Sequence, residues 1–174
     1  MDDRAEYRDK AFLERVGLER LSGELEAFWP KRGPQWDALA VTDRNDVLLV
    51  EAKAHIRELC SSGSSAGPVS RARLVDALTQ TAASLGATRR APWQDTFYQL
   101  ANRLAHLDFL RAQGVSTWLV LVNFVGDKEV GGPSTRNEWE AAYTVAHYAM
   151  GLPSNHRLSR YIIHLYPDVA HLKQ

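Results

Sequence analysis

Asp37 and the tripeptide Glu51-Ala52-Lys53 are the residues best able to do chemistry in this chain. They lie in two short apolar runs, "QWDALAV" and "DVLLVEAK", joined by the turn-rich "TDRND". Runs of this kind predict the two strands of a hairpin. Strand side chains alternate between faces, so Leu49, Glu51 and Lys53 share one face, as do Asp37, Leu39 and Val41 on the neighbour. In an antiparallel pair the two residue numbers of every cross-strand partner add to a constant. If Val41 faces Val47, the constant is 88 and Asp37 lies opposite Glu51; if Asp43 faces Val47, it is 90 and Asp37 lies opposite Lys53. Either register gathers the three charged groups on one face, whereas a loop of even length splits them unless a bulge restores the register. Two neighbouring carboxylates repel, and a divalent cation offsets that repulsion.

The elements that must position these groups follow from periodicity. Apolar residues at three- and four-residue spacing (Ala5, Phe12, Leu13, Val16) predict a helix over about Arg4 to Leu21, with Ser22-Gly23 as its stop. Pro30 disfavours helix in the residue before it, so Ala27 to Trp29 is expected to be extended. After the hairpin, "CSSGSSAGPVS" is a small polar loop that leaves the second strand directly and could cover the site. "SRARLVDALTQTAASLG" predicts a helix with Ser70 as N-cap and Gly86 as stop. A longer helix, about Gln94 to Gln113, carries an apolar stripe through Phe97, Leu100, Ala101, Leu104 and Leu107. "STWLVLVNFVG" is the strongest strand, apolar on both faces, and is expected at the sheet centre. Thr135 and Glu138 have capping-box spacing ahead of a helix in "NEWEAAYTVAHYAMG", and "RYIIHLYP" reads as a last strand. The order implies a mixed sheet covered on both faces, a three-layer α/β/α fold.

At 174 residues, with 45% hydrophobic and 24% charged residues, the chain fits a single globular domain spanning residues 1–174. Lys+Arg and Asp+Glu both number 21, so the formal charge is zero, which excludes a broadly basic nucleic-acid coat protein but not a local basic patch. Lone Cys60 cannot form an internal disulfide and fits a reducing compartment. "MDDRAEYRDKAF" lacks an apolar signal region, and the run around "WLVLVNFV" is too short to span a bilayer. The expectation is a cytoplasmic protein without a membrane segment.

Asp37 followed by Glu51-Ala52-Lys53 at the end of an apolar strand resembles the PD-(D/E)xK nuclease superfamily, whose fold is the restriction-endonuclease-like core. A helix, the hairpin and a later helix–strand pair match its element order, over roughly Arg4 to Val125. Trp36 stands where the family has a proline before the aspartate, and Pro34 lies further upstream. The resemblance implies metal-dependent phosphodiester hydrolysis of nucleic acid, with DNA the expected partner. Asp37, Glu51 and the Ala52 carbonyl would bind Mg²⁺ or Mn²⁺, and Lys53 would hold the attacking water or the phosphate. Exonuclease-like members carry a Gln-x-x-x-Tyr helix beside the site. Gln99 to Arg103 resembles it with arginine in place of tyrosine, which makes Gln99 a catalytic candidate and Arg103 a lesser one. Glu19 could approach the metal from the first helix, and Gln80 is a weaker rival to Gln99. His55 follows the motif and could neighbour the phosphate path. The flanking basic residues Lys31, Arg32, Arg71, Arg73, Arg89 and Arg90 could contact phosphates. The alternative reading is a catalytically inactive α/β module of the same fold that binds a protein or ligand partner.

Overall fold

The computed structural model describes residues 7–88 and 92–172. The expected N-terminal helix begins in residues 4–6, and Arg89 and Arg90 lie in the second gap, so these fall outside the described residues. Within them the first helix is short. Helix α1 runs Asp9–Arg15 and ends before Gly17, whose φ of 71° is left-handed, as a helix C-terminus favours in glycine. A 3₁₀ turn, Glu19–Leu21, leads into α2, Ser22–Phe28. Ser22 and Gly23 thus open a helix rather than stop one. Only Trp29 of the segment expected to be extended is so (φ −125°, ψ 141°), held there by Pro30.

Strands β1 (Ala38–Val41) and β2 (Val47–Lys53) form the hairpin, closed by Thr42, whose Oγ1 accepts from the N–H groups of Arg44 and Asp46. Helix α3 spans Pro68–Ser84, and its N-cap is Gly67 rather than Ser70, because Pro68 occupies the first helical position where a missing N–H costs nothing. Helix α4 is Tyr98–Ala112, β3 is Thr117–Asn123, α5 is Arg136–Met150 and β4 is Ile162–Leu165. Thr135 caps α5 by accepting from the Glu138 N–H.

The sheet order is β1-β2-β3-β4, with β1 antiparallel to β2 and the other neighbours parallel. This is the mixed sheet of a single α/β domain, and β3 is an inner strand. Both crossovers, through α3–α4 and through α5, step the same way across the sheet. Right-handed crossovers in one direction lay their helices on one face. Accordingly Arg103 of α4 reaches Glu51 and Tyr143 of α5 reaches Asn123, and both targets lie on the odd-numbered face. That face is buried through Val47, Leu49, Leu119 and Leu121. Helices α1 and α2 stack on α4, where the His106 ring contacts Phe12, Phe28, Trp29 and Trp36.

The expected third layer is therefore missing among the described residues. On the opposite face, which carries Val120 and Val122 with their β4 partners Ile163 and Leu165, the two β4 residues remain 38% and 47% exposed. There Leu48, Val50, Trp118 and Val122 are half-buried, and of the β2 and β3 residues only Val120 is buried. Helix α4 is buried on all sides from Leu100 to Leu110. Truncating Leu104 or Leu107 to alanine should cost about 2–5 kcal/mol. No helix among the described residues is long and apolar enough to cross a membrane.

Candidate active site

The hairpin adopts the register in which partner numbers add to 88: Val41 pairs with Val47 and Ala38 with Val50. Asp37 precedes β1, donates its N–H to the Val50 carbonyl at 3.2 Å and stands opposite Glu51. Its Oδ2 accepts from the Ala52 N–H at 2.7 Å, which fixes the carboxylate beside the motif. Asp37 is exposed, whereas Glu51 and Lys53 are 3% and 4% exposed.

Burying that pair is costly unless every charge finds a partner. Lys53 Nζ donates to Glu51 Oε1 at 3.0 Å and to Gln99 Oε1 at 2.5 Å. Arg103 supplies the second countercharge, with Nε 2.7 Å and Nη2 2.6 Å from Glu51 Oε2. Two further donors are engaged as well: Nη1 donates to Asn102 Oδ1 at 2.7 Å and Nη2 to the Gln35 carbonyl at 2.9 Å. The guanidinium lies 4.8 Å from the Trp36 ring centroid, within cation–π range. Arg103 thus orients Glu51 and ties down the segment that carries Asp37. The residue standing where the Gln-x-x-x-Tyr pattern has tyrosine is a buried clamp on the motif glutamate.

Gln99 is brought to the site and Gln80 is not; Gln80 is exposed on α3. Glu19 is exposed in its 3₁₀ turn and does not line the cleft. His55 lies two residues past β2, at the start of a 3₁₀ turn, with Nδ1 3.7 Å from Glu58 Oε1. Arg71 and Arg73 are occupied elsewhere, by the Ser64 carbonyl and the Glu26 carbonyl. The loop after β2 forms one wall of the cleft rather than a cover over it.

The sequence reading passed over four residues. Glu58 lines the cleft and its Oε1 accepts from the N–H groups of Ala54 and His55 at 2.8 and 3.0 Å. Asn123 is the cross-strand neighbour of Lys53 and accepts from the Tyr143 hydroxyl at 2.9 Å. Burial pushes that hydroxyl's pKa up, and the negative charge of Glu51 adds to the rise. Tyr98 edges the cleft, and burial raises its pKa against the lowering effect of hydrogen bonds with Asn102 and Ser64. Only Tyr98, next to Gln99, carried any sequence signal.

The cleft has a volume of about 540 Å³, with Asp37, Glu51, Ala52 and Gln99 on its walls. Its oxygen donors suit a hard divalent cation: two carboxylates on one face and the Ala52 carbonyl. Glu51 Oε2 already faces two Arg103 nitrogens, whereas Oε1 accepts only from Lys53 and keeps a second lone pair for a cation. Among the described residues no group of three or more His, Cys, Asp or Glu is placed to hold a metal. Water and a substrate phosphate would therefore complete the shell, as they do for Mg²⁺. The carboxylates of Asp37, Glu51 and Glu58 are matched in number by Arg32, Lys53 and Arg103, so a bound divalent cation would leave the cleft positive. No family model matches the chain, and no curated protein or solved structure matches it either.

Proposed function

We propose that this chain is a metal-dependent phosphodiesterase acting on nucleic acid, with DNA as the expected substrate and a restriction-endonuclease-like core as its frame. The observation that carries the reading is that Asp37, Glu51 and Gln99 line one cleft, with the Lys53 ammonium buried directly behind them and held between Glu51 and Gln99. Asp37, Glu51 and the Ala52 carbonyl would hold Mg²⁺ or Mn²⁺, which when bound activates a water and offsets charge growing on the phosphate. The Lys53 ammonium has three donors, and two are engaged by Glu51 and Gln99. The third is left for the phosphate or the attacking water, where a fixed donor acts on developing charge. Gln99 aims the ammonium and Arg103 holds the Glu51 carboxylate.

One observation favours the alternative of an inactive module of the same fold that binds a protein or ligand. The Glu51 charge is already matched by Lys53 and Arg103 without any metal. Calorimetry with Mn²⁺, together with a cleavage screen of labelled DNA and RNA in Mg²⁺ or Mn²⁺, separates the two. The phosphodiesterase reading expects a Mn²⁺ site that disappears in Asp37→Ala, and cleavage that disappears with it. A wild-type chain with neither heat nor cleavage is the binding module.

A further inference from the structure

The cleft does not end at Asp37. A second cavity of about 400 Å³ adjoins it, and the two share Arg32 and Tyr98 in their walls. Together they form one groove running from Glu51, past Tyr98, to Lys31, Ser64 and Ser70. Both walls are pinned. On one side the Asp9 carboxylate accepts from the N–H groups of Arg32 and Gly33 at 2.9 and 2.8 Å. On the other, Ser61 donates its N–H to the Thr96 carbonyl at 2.7 Å and Ser64 to the Gln94 carbonyl at 3.0 Å. Gly63 sits at φ 80°, where an added Cβ would lie 3.0 Å from the Gln94 carbonyl oxygen, so that wall packs backbone against backbone. The groove is built before any ligand arrives.

We infer that the groove takes a single unpaired nucleic-acid strand, led over Tyr98 into the cleft, with Lys31 and Arg32 holding its phosphates. The inference rests on the phosphodiesterase reading for the position of the reacting phosphate. Three features point away from a duplex. Glu51 is 3% exposed on the cleft wall and Lys53 lies behind it, so a phosphate must enter the cleft to approach the motif. An unpaired backbone bends into such a cleft, whereas a stiff duplex must first be deformed. The available cations are few: the Lys31 and Arg32 side chains are exposed and form no ion pair among the described residues, while Arg71, Arg73 and Arg103 are engaged. A duplex binder draws its affinity from a broad set of phosphate contacts, and this balanced chain presents a narrow one. A half-buried tyrosine on the path together with two cations is the combination that holds single strands, stacking a base while the backbone is neutralised.

Fluorescence anisotropy of the full chain without divalent metal tests this, using a short labelled oligothymidine, an oligouridine of the same length and a hairpin duplex. The oligothymidine or the oligouridine should bind at least about tenfold more tightly than the hairpin, and whichever binds better tells DNA from RNA. Lys31→Ala/Arg32→Ala changes only exposed side chains and should fold. It should lower the slope of log affinity against log salt by about 1.4, two single-strand phosphate contacts. Tyr98→Ala should weaken binding about tenfold and Tyr98→Phe should retain it, as loss of one stack predicts. A hairpin bound as well as the single strands, or a double variant with unchanged affinity and slope, overturns the inference. A wild-type chain that keeps the single-strand preference yet cleaves nothing in Mg²⁺ or Mn²⁺ removes the phosphodiesterase reading and leaves the groove standing.

Discussion

Two polar regions are buried on the helix side of the sheet, and they handle burial in opposite ways. Around Glu51 the buried charges are paired, through Lys53 and Arg103, and the cluster opens onto a cleft. Around Tyr143 the groups are His147, His156 and His164, packed ring against ring. Burial pushes the pKa of each of these histidines down, His147 to about 4, so they are neutral at ordinary pH. Neutral imidazoles cost far less to bury than ions, which are kept inside a protein only where something uses or balances them. Buried polarity alone therefore does not mark a site; charge kept at the edge of a cavity does.

The sharpest way to break the comparison is to unbalance the charged region. Glu51→Ala leaves Arg103 and Lys53 buried without their carboxylate, which should cost about 3–5 kcal/mol of stability in urea unfolding. The neutral region should be lenient, with Tyr143→Phe losing a single hydrogen bond to Asn123, about 1 kcal/mol. Equal losses in the two variants would erase the distinction.

Acid acts on the other region. Folded His147 titrates at about 4 against 6.5 for the free side chain, so below pH 6.5 the unfolded chain takes up a proton that the folded chain refuses. Stability is complete above about pH 6.5 and falls as pH drops toward 4, by up to ~3 kcal/mol for this group, with His156 and His164 acting in the same direction. The thermal midpoint should fall between about pH 7 and pH 5, and fall less in His147→Gln. A flat midpoint would mean that these rings are charged or open to water.

Next in size is a rate effect. Lys53 is buried, so Lys53→Ala would open a cavity and mix packing loss with lost catalysis. Lys53→Met keeps the volume and leaves Glu51 paired with Arg103. Cleavage should drop about a hundredfold, near 3 kcal/mol of barrier, while the fold survives. A methionine variant with full activity would reduce Lys53 to a structural ion.

The hairpin was legible in the sequence because period-two alternation and an odd loop constrain register, and the pairing of Asp37 with Glu51 was one of the two registers allowed. Gln99 was legible only through its spacing to Arg103. The end of α1 before Gly17 was written in the glycine itself, but the apolar spacing runs past it and hid both that break and the start of α2 at Ser22. What else escaped depended on distant elements. The burial of Lys53 depends on α4 lying above it. The missing third layer could have been foreseen, since two right-handed crossovers in one direction share a face, but strand order is not written in a strand's own residues. Asn123 and Tyr143 gave no signal because an Asn ending a strand and a Tyr on a helix are ordinary.

The smallest expected change is the most discriminating. Asp37 is exposed, and its fold-level contact is the hydrogen bond from the Ala52 N–H at 2.7 Å. Asparagine keeps an oxygen that accepts this bond, so Asp37→Asn should shift stability by no more than about 0.5 kcal/mol. Relief of repulsion from Glu51 should add little, because Lys53 and Arg103 already balance that carboxylate. A hard cation, however, loses a charged oxygen and gains a neutral one in its place. Mn²⁺ affinity should therefore fall by more than the ~10–100-fold typical of disturbing a group behind a ligand, and cleavage should fall with it. Calorimetry and unfolding on one sample read both quantities. An unchanged fold with lost Mn²⁺ binding places Asp37 in the metal shell, whereas a variant that still binds Mn²⁺ and still cleaves would leave Glu51 without its partner and the cleft without a metal role.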